Sequence, residues 1–531
     1  MNRKVLIVLC LAQFLMVLDQ AVMNVSISQL VADFDTSVTT IQLAITFYSL
    51  VMAALMITGG KLGDKWGRKR AFRIGLVIYG LGSLITAISW NVGALILGWS
   101  VIEGVGAALV MPAMVALVAG NFEGVKRAAA YGILGGVAGA GIAVGPILGG
   151  WFTTNLSWRY VFAGEVAVAL LILVLSRALA DSSGRRSLRM DWLGALLSAS
   201  GLALIVYGVL QSSTWGWFAP KNSPIEPLGM SLTVFVIATG GVLLGLFVKW
   251  QRHLEDGGRE PLVHLAQLRI APLRAGLMMF LSQNVILMGA FFAIPLYLQV
   301  VQGFDALETG MRMLPVSVAL FLTSMSGPKL AQRYSPRTII RVGLVVLGVA
   351  IVSLMALMDP DIANVKFLAG MAVLGVGVGL LASQLGNVVQ SAVPEEGRSE
   401  AGGLQFTSQQ LGGALGTALI GAVVIASLAS SFGALVLKEP SLSEPVRQQA
   451  GGIVLEGDVE FIPVADARAA MEKAGVPADD IEILADDYAQ AQLEGLRTGL
   501  TIAGLIVVIS LFFTKNLPTE PLVRGSRTRA D

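Results

Sequence analysis

The sequence reads as an all-α polytopic membrane protein, and three features carry that reading. Apolar residues make up 55% of the 531-residue chain and charged residues only 14%, with a mean hydropathy of +0.74, which excludes an ordinary soluble domain. Apolar runs of about 18 to 25 residues, each long enough as a helix to cross roughly 30 Å of hydrocarbon, fill most of its length. Between the runs, lysines and arginines fall in alternate connections, the pattern that the positive-inside rule gives a chain with many spans.

About fourteen spans follow in order, at roughly 4–30, 41–60, 71–89, 92–119, 127–152, 160–179, 192–211, 229–250, 275–301, 312–331, 338–358, 364–390, 400–430 and 497–514. The first opens on Met1-Asn-Arg-Lys and lacks a small-residue cleavage site, so it reads as a span and not as a removed signal. Lys65, Arg68, Lys69, Arg70; Lys126, Arg127; Arg185, Arg186, Arg189; Arg252, Arg259; and Arg333, Arg337 mark the inner connections and place both termini in the cytoplasm. Trp151, Trp158, Trp215 and Trp217 then fall near outer span ends, where an aromatic belt sits.

Two departures from a plain array of spans stand out. Gly327-Pro-Lys-Leu-Ala-Gln-Arg-Tyr-Ser-Pro-Arg337, at the end of span 10, is a weak echo of Gly59–Arg70 at the end of span 2. Copies eight spans apart fit two six-helix halves with two extra helices between them, so spans 7 and 8 read as an insertion. The expected organisation is a first six-helix bundle over 1–180, a two-helix insertion over 181–260, a second six-helix bundle over 261–514 and a cytoplasmic tail over 515–531. Residues 431–496 form an acidic outer loop between the last two spans, holding Glu439, Glu444, Glu456, Asp458, Glu460, Asp479, Asp480, Glu482, Asp486 and Asp487. Its spacing predicts two short helices, the second capped at Pro477, and leaves open whether it is a cation-attracting cap or a solvated insertion.

Composition also narrows the chemistry. Cys10 is the single cysteine, so no intramolecular disulfide forms, and His253 and His264 both lie in a polar connection, which argues against a metal centre or a cofactor site in the membrane. A net charge of +2 gives no reason to expect a nucleic-acid partner. No phosphate-cradling Gly-x-x-x-x-Gly-Lys-Ser/Thr loop occurs, and no nucleophile elbow or metal-ligand spacing supports an enzyme.

The stretch Gly59-Gly-Lys-Leu-Gly-Asp-Lys-Trp-Gly-Arg-Lys-Arg70 packs three roles into twelve residues. Gly60, Gly63 and Gly67 allow a tight turn and close helix approach, while Asp64 can accept from a helix N-terminus or pair with Arg68. A latch between transporter halves and a cation-rich topogenic loop explain this equally well. In span 5, Gly141, Gly145 and Gly149 recur every four residues as a groove for a neighbouring helix, and Pro146 leaves the Ile142 carbonyl without its helical donor.

These stretches resemble the major facilitator superfamily. Gly60–Arg70 matches its loop 2–3 signature nearly residue for residue. Leu18-Asp19-Gln-Ala-Val22-Met-Asn24-Val25 resembles the first-span motif of fourteen-span drug:proton antiporters of the QacA/EmrB type. Gly135–Gly150 resembles the antiporter signature of exporters, and Trp158-Arg159-Tyr-Val-Phe162 the opening of their sixth span. The resemblance implies the major facilitator fold and a proton-coupled exporter of hydrophobic, cationic or zwitterionic compounds, monomeric in the plasma membrane. A dedicated exporter of a lipid or secondary metabolite is the alternative.

Ionisable side chains inside spans cost about 2.5–3.5 kcal/mol on insertion scales, so each invites a functional reading. Asp19 matches the family's first-span acid. Glu103 stands in Ser100-Val-Ile-Glu103-Gly104, where the family's fourth-span pattern has an arginine and then Gln-Gly, so the arginine is gone and the glutamine is an acid. Asp19 and Glu103 are expected to face one cavity without a fixed cation, while Glu165 fits a vestibule or a structural role equally. Gln283, Asn284, Phe291, Tyr297, Gln384 and Asn387 are expected to line an amide- and aromatic-rich cavity for an amphipathic solute.

Overall fold

The computed structural model describes residues 3–36, 38–180, 189–359, 364–440, 442 and 461–521. Arg185 and Arg186, Glu444, Glu456, Asp458 and Glu460 of the acidic loop, and most of the C-terminal tail lie outside them. Among the described residues every regular element is helical. The first long helix, α1 (Arg3–Val25), stops at Ser26, whose hydroxyl donates to Val22 O at 3.1 Å and meets Thr153 Oγ1 at 3.0 Å; a short α2 (Ile27–Phe34) follows. The expected single first span is thus broken where a side-chain oxygen competes with the backbone ladder.

Next come α3 (Val38–Trp66), α4 (Arg68–Ala87) and the short α5 (Val92–Leu95), which continues through a π-helical stretch, Ile96–Glu103, into α6 (Gly104–Asn121). Then follow α7 (Gly124–Asn155), α8 (Arg159–Leu175), α9 (Trp192–Trp215), α10 (Leu232–Asp256), α11 (Ala271–Leu296), α12 (Ala306–Arg333), α13 (Pro336–Leu357), α14 (Asn364–Ser391), α15 (Arg398–Lys438), α16 (Val464–Lys473) and α17 (Ala478–Phe513). Among the described residues, thirteen helices are long and apolar enough to cross a membrane. The remaining long helix, α12, carries Glu308, Arg312, Lys329 and Arg333 and falls below that apolarity, which brings the array to the fourteen expected.

Buried apolar side chains form two large clusters. One is drawn from α1 through α8, joined by Phe406, and the other from α11 through α15 with α17. The pair α9 and α10 pack on each other, and α9 also lies against α3 and α15. Helix α7 bridges the two clusters: its glycine-lined faces meet α1 on one side and α12 and α14 on the other.

The ends of two helices differ from expectation. With 41 and 36 residues, α15 and α17 extend to about 60 and 54 Å, well beyond the hydrocarbon thickness. Outside the membrane span they share a third apolar cluster with α16, built on Phe432, Val436, Leu484 and Tyr488. The acidic loop therefore has its own packed core, and its second helix is continuous with the last span, starting after Pro477 with Asp479 and Asp480 in the first turn. Trp158 and Trp215 are buried instead of lying at the lipid interface: Trp158 donates to Asp33 at 2.9 Å while Arg159 stacks over its ring at 4.4 Å.

The contact between α1 and α7 is set by the absence of side chains. A Cβ on Gly141 would meet Val17 at 3.0 Å, one on Gly145 would meet Ala21 Cβ at 2.3 Å, and one on Gly149 would meet the Val22 backbone at 3.1 Å. Pro146 lies within this helix, its side chain outside the described set. Gly145→Val should force α1 off α7 and cost about 1–3 kcal/mol, as overpacking does. A thermal unfolding midpoint in detergent unchanged from wild type would contradict this packing.

Candidate functional site: a buried carboxyl triad

The site begins with a backbone contact. A Cβ on Gly82 of α4 would fall 2.6 Å from Glu103 N and 2.7 Å from Gly98 O, so α4 touches the π-helical stretch with no side chain between. That approach carries Ser83, the next residue, to Glu103. Its hydroxyl lies 2.7 Å from Glu103 Oε1 and 2.9 Å from Glu165 Oε2 of α8, and Tyr79, one turn earlier, donates to the same Glu165 oxygen at 3.0 Å. The widened π turn also presents Trp99, whose Nε1 donates to Asp19 Oδ1 at 2.8 Å while its ring stacks on Tyr48 at 4.7 Å.

Asp19, Glu103 and Glu165 each offer an oxygen within 4.8 Å of the others, and none is more than 2% exposed. Asp19 Oδ2, Glu103 Oε2 and Glu165 Oε1 have no hydrogen-bond donor, and among the described residues no cation is paired with any of the three. By donor type such a set can hold a proton or a hard cation. The N–H and O–H groups of Trp99, Ser83 and Tyr79 all donate to it and so occupy oxygen lone pairs that a metal shell would need. The structure brings Glu165 into contact with Glu103 as a full member of the group.

A second set of predicted residues lies at the end of the molecule where α3 turns into α4. Gly67 has φ of +93°, a conformation that favours glycine. Gly60 faces the opposite half so closely that a Cβ would sit 2.5 Å from Ser399 O, and Gly63 lies beside the Ser399 side chain at 3.5 Å. Arg68 Nε donates to Ser399 Oγ at 3.2 Å, a second guanidinium nitrogen donates to Glu395 O, and Asp64 hydrogen-bonds with Ser399 at the N-terminus of α15. Nearby, Arg127 reaches Asn387 at 3.1 Å and Ser391 at 2.6 Å across the same interface.

The remaining predicted cavity residues have distinct partners. Gln283 is buried with Oε1 lacking a donor, Asn284 donates back to Phe280 O at 2.9 Å, and Phe291 packs against the second cluster. Tyr297 is fully buried, with its hydroxyl donating to Asp359 O at 2.7 Å, so it belongs to the second-half core and not to a cavity wall. Gln384 donates to Gly327 O at 3.3 Å within the second half, and Asn387 serves the inter-half contact with Arg127. Met52 lies where both halves meet, its sulfur receiving Gln20 at 3.4 Å and Gln410 at 3.5 Å.

Sequence reasoning missed Ser83, Tyr79, Trp99 and Tyr48. Ser83 four residues after Tyr79 in an otherwise apolar run is the signal that marks one polar stripe.

Comparison with known proteins agrees with this architecture. The family model described as Major Facilitator Superfamily matches residues 9–417. The chain belongs to that superfamily. Among curated superfamily relatives, it is 32% identical to the puromycin resistance protein pur8 of Streptomyces alboniger, over 79% of this chain and 81% of that one. It is 27% identical to the tetracenomycin C resistance and export protein of Streptomyces glaucescens, over 97% and 92%, and 27% identical to the multidrug resistance protein Stp of Mycobacterium tuberculosis, over 99% and 94%. In fold it resembles the proton:xylose symporter XylE, with a TM-score of 0.58 at 14% identity over 98% of both chains. It also resembles the human organic anion transporter MFSD10, with a TM-score of 0.57 at 13% identity over 96% and 99%. It is a multi-pass integral membrane protein.

Trp99→Phe keeps the stack on Tyr48 and removes the donor to Asp19. The expected cost is about 1–3 kcal/mol of stability, measured by denaturation in detergent, with Trp90→Phe as an exposed control near zero. Equal stability of the two variants would contradict the role given to the indole.

Proposed function

We propose that the protein is a proton-coupled exporter that exchanges protons for hydrophobic, cationic or zwitterionic drug-like compounds, acting as a monomer in the plasma membrane with both termini in the cytoplasm. The observation that carries this reading is the buried triad of Asp19, Glu103 and Glu165, which has hydrogen-bond donors but, among the described residues, no paired cation. Export as the direction is supported by the relatives, whose names describe resistance and export, and by the span 5 signature. The lack of a phosphate-cradling loop in the sequence supports an ion gradient as the energy source.

The proposed cycle follows from electrostatics. Two carboxylate oxygens no more than 4.8 Å apart repel by at least roughly 3 kcal/mol at an effective dielectric near 20, so full ionisation of all three is strongly disfavoured. Protons held there keep the group compact. Arrival of a cationic or amphipathic solute, or opening toward a side of higher pH, draws a proton away and leaves a charge that must be hydrated or paired. Asp19 is mounted on α1, which lies in the glycine groove of α7. On its other side α7 meets α12 of the second half, where a Cβ on Gly139 would press on Leu320 at 2.5 Å. A displacement of α1 is therefore transmitted to the interface between halves, and rocking about a midplane cavity gives alternating access.

A second reading, a dedicated exporter of one metabolite or lipid, is favoured by the changed fourth-span motif and by relatives named for single compounds. The two readings separate in inside-out vesicles with an imposed proton gradient. Wild type is expected to accumulate a lipophilic cationic dye, and Asp19→Asn and Glu103→Gln to lose gradient-driven uptake. A folded, inserted wild type that moves no dye would overturn drug efflux in favour of dedicated cargo, and Glu103→Gln retaining transport would point to a neutral one.

A further inference from the structure

The two inserted helices end in a segment that the transport cycle proposed above does not use. After α10, Gly257 and Gly258 turn the chain, with φ of +63° at Gly258, and Arg259 N donates back to Leu254 O at 2.8 Å. The returning segment is then fastened by one buried side chain. Gln251 has no exposed surface; its Oε1 accepts from Leu262 N at 2.6 Å and Val263 N at 3.2 Å, and its Nε2 donates to Asp191 Oδ2 at 2.7 Å. Asp191 also caps α9 through Gly194 N and receives Trp250 Nε1, so one carboxylate ties the start of α9, the end of α10 and, through Gln251, the segment beyond.

Leu262 and Val263, 0% and 1% exposed, enter an apolar cluster that includes Ile57 of α3 and, packed beside it, Leu404 and Leu411 of α15. The segment thus touches one helix from each half, next to the Gly60–Ser399 contact. His264 follows. Its backbone N donates to Glu400 Oε1 at 2.6 Å, its Nδ1 meets Glu400 Oε2 at 2.9 Å, and Glu400 is only 2% exposed at the start of α15. Lys61 of α3, 4% exposed, lies 3.9 Å from Glu400 and 3.7 Å from Glu260, which is itself 3.5 Å from His264 Nε2.

We propose that residues 261–265 form a clasp between α3 and α15 that holds this end of the transporter shut, with His264 and Gln251 as its positioning residues. The proposal rests on the rocking cycle and adds a part to it: the insertion bears on the gate and is not a passive attachment.

The groups facing His264 give the clasp a pH dependence. Glu400 on α15 and Glu260 on its own segment are acidic, and Lys61 on α3 is basic. Glu255 and Arg259 rim the same hollow, while Asp64 on α3 interacts with both Glu400 and Lys61. Donation of a hydrogen bond to the Glu400 carboxylate raises the His264 pKa above its ordinary 6.5, against the opposing effect of burial. Below that raised value the imidazolium balances the second acid and the clasp is tightest. As pH rises through it, the neutral ring keeps one hydrogen bond and loses the charge, and the clasp weakens.

The test needs no substrate. Spin labels are placed at Arg70→Cys and Arg333→Cys, exposed positions on the two halves at this end, in a Cys10→Ser background in lipid nanodiscs, and the inter-label distance distribution is recorded between pH 6 and 8.5. The separated population is expected to rise about two- to fivefold with pH, the range that a half-exposed ion pair supplies. In His264→Gln, whose native side chain is 38% exposed and tolerates replacement, that population is expected to be high and independent of pH. Gln251→Ala, which frees the segment and leaves His264 in place, should raise it at pH 6 as well. His264→Gln with the wild-type distribution and the wild-type pH response overturns the proposal. Because the readout is independent of dye movement, the exporter reading can fail while the clasp stands, and the reverse.

Discussion

The close packing of α4 against the π-helical stretch, backbone on backbone at Gly82 and Gly98, is the constraint on which the rest of the site depends. Without it Ser83 does not reach Glu103 and Glu165 together, and Tyr79 does not reach Glu165. With it, three acids from three helices share one buried volume, bounded by an indole and three hydroxyls. A low-dielectric setting makes each of these hydrogen bonds stronger and each unpaired oxygen more costly. Three like-charged groups this close cannot all be ionised without a large repulsion, so the arrangement is sensitive to its charge state.

That repulsion has a mechanical outlet because the acids are mounted on different helices. Asp19 rides on α1, Glu103 on the widened turn before α6, and Glu165 on α8, the last two elements packed against α4. The glycine stripe of α7 then joins α1 to the second half. Small residues on both faces of α7 permit close contact, and close contact between rigid helices transmits displacement where a layer of flexible side chains would absorb it. At the far end of α3, Gly60 brings the same economy of bulk to the contact with α15, and Arg68 at the start of α4 adds a hydrogen bond across it.

Much of this was legible in the sequence, for identifiable reasons. Apolar runs and alternating cations are one-dimensional signals, so the number and order of the spans could be read directly. Asp19 and Glu103 stood out because an acid within an apolar run is costly and therefore rare. Glu165 was harder: whether it faces the group depends on how α8 is rotated against α4, which no local pattern states. The donors Ser83 and Trp99 are ordinary residues for a membrane helix, and only their position after folding makes them special. The polar residues of the second half were read by side-chain type alone. Tyr297, Gln384 and Asn387 look like cavity residues by type, yet their partners are Asp359, Gly327 and Arg127, chosen by tertiary packing. The continuity of α17 with the last span was missed because its outer turns are acidic and read as a separate short helix.

The claim at the centre is that the triad holds the proton that is exchanged for substrate. Proton release on substrate binding tests it most directly, followed with a pH indicator in weakly buffered detergent solution alongside a separate measure of binding. The account predicts release by wild type and none by the Asp19→Asn, Glu103→Gln, Glu165→Gln triple variant where binding persists. Undiminished release from the triple variant would contradict it and move the coupling site elsewhere.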